Sequence, residues 1–515
     1  MILLSWFRRL IGGAEIPKED AQFSHDIDKN MDALRELFVD TDDFRIREFQ
    51  INSTKPTRAC VIYLNTIADE KIIREEIMRT LMQKLPQSVQ ELRSLQISLL
   101  QHSVLSSSDM VQSTSVREAV RNMMIGSTLL FIEKSDQCLI IMTPWSNKRA
   151  ISEPETESVS RGPHDGFTEL ISDNIGMVRR RIKDPSLKIV SYTLGAKTQT
   201  KVSMMYLKDL ALPELVNDVS ERLKEIHTDS ILESGDIEEF LEDDALTPFP
   251  QVEVTERPDK SAAAMLEGRI IILVDGTPGT LVVPTTFFQL AQTPEDHYQR
   301  AIFSSFKRIY RLLGFILATS LSSFYLALVN YSTHLIPVKL VPVLMTKRAE
   351  VPFPPLLELI IMQVLIDMIL EGNLRMPAKL GQTLGVAGAI VIGQAAITAN
   401  LITPAVVIVV SVTTITAYLQ PRLSNSYSII WIRYFNMLIA SMFGFFGIVV
   451  AWMFWVIHLC SLQSFRTAYF APIAPFKWSD WKDAIIRVPK WAMTKQPSTP
   501  GTLQPNKIPK GEMKH

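Results

Sequence analysis

In residues 269–288, RIIILVDGTPGTLVVPTTFF, an apolar stretch leads into Asp275, Gly276 and Thr277. A phosphatase built on this strand-and-DGT pattern carries a nucleophilic aspartate two residues before the aspartate of DGT. Leu273 stands at that position, so the nucleophile is missing. Turn chemistry accounts for the run instead: Asp275 and Gly276, with Pro278 and Gly279 behind them, favour a hairpin. No GxGxxG loop, Walker lysine or GxSxG elbow occurs in the chain. The eight histidines are dispersed, with none at ligand spacing from a cysteine or carboxylate. Cys60, Cys138 and Cys460 form no CxxC, so neither a disulfide framework nor a metal site is expected. These residue types argue against an enzyme, a metal or a cofactor. With 53 Lys and Arg against 54 Asp and Glu, no nucleic-acid partner is expected either.

The polar groups that could act lie in apolar surroundings. Residues 356–370 follow PFPP, a good helix start because proline is tolerated in the first turn, and include Glu358 and Asp367, with Glu371 just beyond. At about 100° per residue Gln363, Asp367 and Glu371 share one face and are candidates for attracting cations. Carboxylates facing hydrocarbon cost several kcal/mol, so this segment is expected to lie on the membrane surface or to be re-entrant.

The next apolar segment, GQTLGVAGAIVIGQAAITAN at 381–400, separates into three faces on a helical wheel. Gly381, Gly385, Ala389 and Gly393 form a small-residue stripe spaced by four, the pattern that lets membrane helices pack closely. Val386, Ile390 and Ile397 form a bulky face. Leu384, Ala387, Val391, Gln394, Ala395 and Thr398 mix small, apolar and uncharged polar groups, a combination suited to a narrow pore with an apolar constriction. Close packing within one monomer's bundle is the plainer alternative for the same helix.

These faces need elements to hold them, and the chain divides into two regimes. Charge is concentrated before about residue 311, whereas 312–462 carries long apolar runs of the kind a bilayer core of about 30 Å demands. The expected fold is an α+β cytosolic amino-terminal region of two lobes followed by an α-helical transmembrane domain. The expected divisions are an amphipathic segment (1–25), a first lobe (26–150), a second lobe (151–305), a transmembrane domain (306–462) and a basic cytosolic tail (463–515). MILLSWFRRLIGG is cut by Arg8 and Arg9 and lacks a small-residue cleavage site, so it reads as an amphipathic start rather than a secretory signal.

Helical spacing over 26–39, 69–82, 167–182 and 212–226 alternates with strand-like runs at 44–51, 59–64 and VSMMYL. STLLFIE and CLIIMTP read as a hairpin. Arg179, Arg180 and Arg181 form a basic triplet suited to phosphate or lipid headgroups, or, more commonly, to a solvated helix face or a salt-bridged lobe interface.

In the apolar half, spans are expected at 312–330, 384–401, 403–419 and 437–459, giving four crossings plus one embedded helix. Lys307, Arg308 and Arg311 precede the first, and Arg466, Lys477, Lys482, Arg487, Lys490 and Lys495 follow the last. The positive-inside tendency then places both ends in the cytoplasm.

Several strings together resemble one family. SEPETESVSRGPHDGFTELISDNIGMVRRRIKDPSLK, ERPDKSAAAMLEGRIIILVDGTPG, VPTTFF with PEDHY, PFPPLLELI and GQTLGVAGAIVIGQAAI resemble the A subunits of nutrient germinant receptors of spore-forming bacteria, the GerA family. The strings span both halves of the chain in the family's order. The family's Gly-x-Pro-Tyr turn after the last span is replaced here by Arg466, Thr467, Ala468 and Tyr469. The resemblance implies a multi-pass protein of the spore inner membrane that works with a transporter-like B subunit, which binds nutrient, and a C-subunit lipoprotein. It further implies a homo-oligomer forming a cation channel, with the Gly-rich helix as the channel helix. A related sporulation-stage membrane protein shares much of this pattern and would serve ion or small-molecule release. A secondary transporter is a third reading, because Thr403 and Pro404 interrupt a pair of short apolar segments.

Overall fold

The structure is a computed structural model that describes residues 21–51, 57–83, 110–145, 153–154, 156–375, 393–478, 480–493, 495–499 and 501–504. The chain forms two compact units. One comprises residues up to Asp243, Val252–Pro284 and the chain from Met493 onward, and the other Asp244–Gln251 and Thr285–Ala492.

In the first unit, alternation along Thr57–Leu64 (β2) sends Ala59, Val61 and Tyr63 into one core and Cys60, Ile62 and Leu64 into another. A strand apolar on both faces has to be central and covered on both sides. Accordingly β2 pairs with Phe44–Ile51 (β1) on one side and Ser127–Ile132 (β4) on the other. Cys138–Met142 (β5) and Met110–Ser113 (β3) complete a fully antiparallel sheet, in the order β1-β2-β4-β5-β3. One face is covered by Ile73, Ile77 and Leu81 of the helical stretch 70–83. The other is covered by Ile27–Leu37 (α1) and Val116–Met123 (α2), capped by the side chains of Asp26 and Ser115.

The second sheet repeats this plan. Leu187–Leu194 (β6), Thr200–Leu207 (β7), Glu253–Thr255 (β8), Ile270–Val274 (β9) and Thr280–Val283 (β10) are antiparallel in the order β6-β7-β9-β10-β8. In each lobe a hairpin, an edge strand and a second hairpin follow one another along the chain, and the second hairpin is inserted between the first and the edge. Helices Ile171–Arg181 (α3), Pro213–Glu225 (α4), Ser234–Leu241 (α5) and Pro258–Leu266 (α6) accompany the second sheet. The DGT run is the β9–β10 hairpin. Asp275 accepts a hydrogen bond from the Ile171 backbone N–H at 3.1 Å, satisfying a donor of the first turn of α3 that Leu170 cannot cap.

The lobes are joined through a buried charge pair. Arg179 of α3 donates from Nε and Nη2 to the two carboxylate oxygens of Asp43 at 2.8 and 2.7 Å, and Thr66 donates to the same carboxylate at 2.6 Å. Both side chains are buried, Arg179 completely. Beside them Asp42 N–H donates to the Ile189 carbonyl at 3.0 Å, and Ile189 N–H donates to the Asp40 carbonyl at 2.9 Å. A Cβ on Gly176 would lie 2.6 Å from the Thr66 carbonyl oxygen, so this approach requires glycine. Of the basic triplet, Arg179 thus makes the lobe interface and Arg181 pairs with Asp165. The carboxy-terminal residues pack onto this unit: Leu503 N–H donates to the Leu210 carbonyl at 3.0 Å and Gln496 Nε2 to the Leu266 carbonyl at 3.0 Å.

The second unit is helical: Ala301–Asn330 (α7), Val341–Ala349 (α8), Pro355–Arg375 (α9), Pro404–Ala417 (α10) and Leu423–Ser461 (α11). Among the described residues two helices, α7 and the Ser426–Ser461 part of α11, are long and apolar enough to cross a membrane.

The expected single span at 437–459 is corrected by the structure. Gly444 has φ 60° and ψ −138°, a backbone conformation outside the helical region and open to glycine. Trp455 Nε1 donates to Asn436 Oδ1 at 3.1 Å, and the rings of Phe435 and Trp455 are 5.2 Å apart. In a straight helix these residues would be separated by about 28 Å. The chain therefore doubles back at Gly444, and each arm of α11 has roughly the 20 residues that one crossing needs. Gly444 and Gly447, in SMFGFFGIVV, were the sequence signal for this turn.

Within the segment 356–371, expected to lie on the membrane surface or to be re-entrant, Leu359 and Met362 of α9 are buried in one core with Leu326 and Val329 of α7, Val406 and Val410 of α10 and Met437 of α11, while Val364 and Met368 are exposed. The 21 residues of α9 extend about 31 Å.

The order of contacts gives the run of each helix. Asn436 Nδ2 donates to the Thr319 carbonyl and Tyr331 OH to the Ser441 carbonyl, so the first arm of α11 runs parallel to α7. Ser322 and Thr413 meet at 3.4 Å and Gln420 Nε2 reaches the Arg311 carbonyl at 2.9 Å, so α10 runs antiparallel to α7. After α11 the chain makes a small hairpin, Gln463–Ser464 with Thr467–Ala468. Phe465 and Arg466 at its turn have φ 49° and 60°. Both residues thus hold a left-handed conformation that favours glycine.

Two outcomes test these features. Burial raises the Asp43 carboxyl, but the Arg179 charge and the hydrogen bonds from Arg179 and Thr66 outweigh it and hold it below the usual carboxylate range. A depressed carboxyl contributes stability above its unfolded value and loses it as pH falls through the folded one. Asp43→Asn should therefore lower the melting temperature at neutral pH, and the gap from wild type should close as the solution is acidified below about pH 4; a constant gap would exclude the pair as the cause. Gly444→Ala places a Cβ 3.0 Å from the Tyr331 ring in a strained conformation. It should destabilise the detergent-solubilised protein by more than about 1 kcal/mol, read as thermal aggregation, whereas Gly372→Ala, which meets nothing within 4 Å, should not.

Candidate functional site

Of the sequence candidates on the Gly-rich helix, Gly381, Leu384, Gly385, Ala387, Ala389 and Val391 lie outside the described residues. The described end, 393–398, is helical. There Gly393 and Ala396 are buried, and a Cβ on Gly393 would meet Val407 of α10 at 3.9 Å. Gln394, Ala395 and Thr398 are exposed. Gly393 and Ala396 thus face inward, while Gln394, Ala395 and Thr398, the described part of the face assigned to a pore, are exposed.

The helix ends at Asn400, with φ 51°, and a new one starts at Thr403–Pro404. Proline suits that first position because its missing N–H has no partner to lose. Glu358 of α9, buried, accepts from Thr403 N–H at 3.1 Å and from Thr403 Oγ1 at 3.0 Å. Its carboxylate caps α10 across the bundle, where the positive end of the helix dipole favours an anion. Sequence reading noted Glu358 as a charge but not as a cap, because the two positions are far apart along the chain.

Deeper in the same helix, Gln363 Nε2 donates to Asp367 Oδ1 at 3.2 Å, as helical spacing allows. Arg433, from the first arm of α11, donates to both Asp367 oxygens at 3.1 and 2.9 Å, and Tyr434 OH donates at 2.9 Å. The Arg433 guanidinium also sits 5.4 Å from the Tyr434 ring centroid, in the range of a cation–π contact. Arg433 and Tyr434 escaped the sequence reading, although an arginine inside an apolar run was a visible signal. Glu371, one turn beyond Asp367, is exposed.

At the start of α7, Arg311 donates to Asp296 Oδ2 and Oδ1 at 2.7 and 2.9 Å, and Arg308 Nε donates to Oδ2 at 3.3 Å. Arg308 also pairs with Asp483 at 3.1 Å. Burial pushes the Asp296 carboxyl up, and the hydrogen bonds and charge of Arg311, with the charge of Arg308, outweigh it and hold it low. Two of the three cations at the start of α7 are therefore folded into a buried knot, and Lys307 pairs with Glu295 at 3.1 Å. Among the described residues no group of three or more His, Cys, Asp or Glu side chains is placed to hold a metal ion.

Comparison with known proteins gives a consistent result. The chain is 36% identical over 481 residues to the uncharacterized membrane protein YfkQ of Bacillus subtilis (strain 168), covering 93% of this chain and 92% of that one. It is 35% identical over 471 residues to spore germination protein KA of the same organism, covering 92% and 86%. Among solved structures it matches the N-terminal domain of the A subunit of the Bacillus megaterium spore germinant receptor GerK3, at 30% identity and a TM-score of 0.43, over 52% of this chain and 99% of that one. The family described as Bacillus/Clostridium GerA spore germination protein matches residues 32–499, nearly the whole length, and the chain belongs to that family.

Proposed function

We propose that this chain is the A subunit of a nutrient-responsive germinant receptor and forms an oligomeric cation channel in the spore inner membrane. Membership of the GerA family over both units supports the receptor role. The observation that carries the channel reading is the split at 393–398: Gly393 and Ala396 are buried, while Gln394, Ala395 and Thr398 are exposed. A mixed small and polar face left open in a membrane helix is suited to line an aqueous path between copies of the chain. A transporter-like B subunit that binds nutrient would open it, and a C-subunit lipoprotein would complete the complex.

The run of the helices supports both ends lying on one side of the membrane. A crossing by α9 adds one passage to the four expected from sequence, and the reversal at Gly444 adds another, so the parity stays even. The basic residues flanking the outer ends favour the cytoplasmic side for the amino-terminal unit. A second reading, secondary transport, is favoured by the break between Asn400 and Pro404 with the buried Glu358 beside it, since interrupted helices often mark substrate sites. Single-channel conductance against saturable counterflow in liposomes separates the two.

If Val391 forms the apolar constriction, Val391→Ala should leak cations without nutrient, and Val391→Phe should block flux in an intact complex. Equal flux in both variants and wild type would remove this residue from the pore. Asp367→Ala leaves Arg433 buried without its carboxylate and should cost about 3 kcal/mol or more. Loss of the assembled complex on a sizing column is the expected readout, and Asp367→Ala with Arg433→Met should recover much of it. Failure of that pair to recover would show that Asp367 acts on something other than Arg433.

A further inference from the structure

We propose that residues 470–492 form an anchor that lies in the phospholipid headgroup zone, at the level of the start of α7. The inference rests on the membrane reading above. Its first support is position. Asp483 pairs with Arg308, and its backbone carbonyl accepts from Gln292 Nε2 at 2.9 Å. Arg487 N–H donates to Ser305 Oγ at 3.0 Å, and the Arg487 guanidinium donates to the carbonyls of His297 and Gln299 at 2.8 and 2.5 Å. The charge-free run of α7 begins at Leu312. At 1.5 Å per residue, Arg308 and Ser305 precede it by about 6 and 10 Å along the helix. The polar zone on each side of a bilayer is about 5–8 Å thick, so Asp483, paired with Arg308, is held within it and Arg487, bound to Ser305, at its outer edge.

The second support is composition and exposure. Phe476, Trp478 and Trp481 form a mutual cluster with ring centroids 5.8–6.1 Å apart. Phe476 is 62% exposed and Trp478 71% exposed. Facing water, such a cluster would leave a large apolar area uncovered. At the membrane interface aromatic rings meet the glycerol and upper acyl region, where tryptophan concentrates. Lys482, exposed in the same turn, adds attraction to anionic headgroups. Covalent continuity with the second arm of α11 brings the cluster to the bilayer, so a lipid surface is the occupant that these features fit.

The full-length protein, reconstituted in vesicles of phosphatidylcholine and phosphatidylglycerol, tests this. A nitroxide is placed at Trp478→Cys or, separately, at Ile486→Cys, in a Cys460→Ser background; Cys60 and Cys138 are buried. A reference label at Val449→Cys, 65% exposed on the second arm of α11, reports whether that arm is in lipid. Collisions with oxygen should exceed those with a water-soluble nickel chelate several-fold at Trp478→Cys, at a shallower depth than at Val449→Cys. For the label at Ile486, replacing Phe476, Trp478 and Trp481 together by alanine should shift it toward the aqueous value. Nickel-dominated collisions at both tail sites, with Val449→Cys in hydrocarbon, would overturn the anchor alone. Exclusion of both reagents there would overturn it in favour of a protein contact. An aqueous Val449→Cys would overturn the membrane reading on which the anchor depends.

Discussion

Asp367 is the carboxylate on which the helical unit turns. Arg433 is almost wholly buried, and an arginine in that position is tolerable only if its charge is met inside the protein. Asp367 meets that charge, both of its oxygens accepting from Arg433 Nη2, and it takes further hydrogen bonds from Tyr434 and Gln363. The pair ties α9 to the first arm of α11, while Glu358, on the same helix, ties α9 to the start of α10. Two carboxylates that would be costly in lipid therefore act as the fasteners of the helix that carries them.

The amino-terminal unit solves a similar problem with different means. Two sheets of identical strand order bury their central strands on both faces and meet through Arg179 and Asp43. A buried ion pair of this kind adds little net stability over apolar residues, but removing one partner is expensive, so it fixes how the lobes meet. Around it, the carbonyls and N–H groups of Asp40, Asp42 and Ile189 pair across the junction, and Gly176 admits Thr66 at a distance no side chain would allow.

A shared logic connects these features to function. In both units charged residues that read as surface features are used internally: Arg179, Arg308 and Arg311 sit on buried carboxylates, and Arg433 on the half-buried Asp367. What is left exposed along the described part of the Gly-rich helix is uncharged, Gln394, Ala395 and Thr398. A pore assembled on that face would be lined by small polar groups and would depend on charges elsewhere for selectivity.

Local pattern determined much of this protein from sequence alone. Alternation in Phe44–Ile51 and Thr57–Leu64, helical spacing in Ile27–Leu37, and the turn residues Asp275 and Gly276 each act within a few neighbours, so the strands, the helix and the hairpin were legible. The two regimes of charge and hydropathy and the family strings were legible for the same reason. Tertiary structure alone decided the rest. The reversal at Gly444 depends on Trp455 finding Asn436, because a glycine in an apolar run is equally at home in a straight helix. The burial of α9 depends on partners for Glu358 and Asp367 that lie 45 and 66 positions away along the chain. Asp275 likewise turned out to cap a helix 104 positions earlier. Spacing along a chain reports which residues share a face, and only packing reports which face meets which, because a buried charge is stable or ruinous according to a partner that the local sequence does not contain.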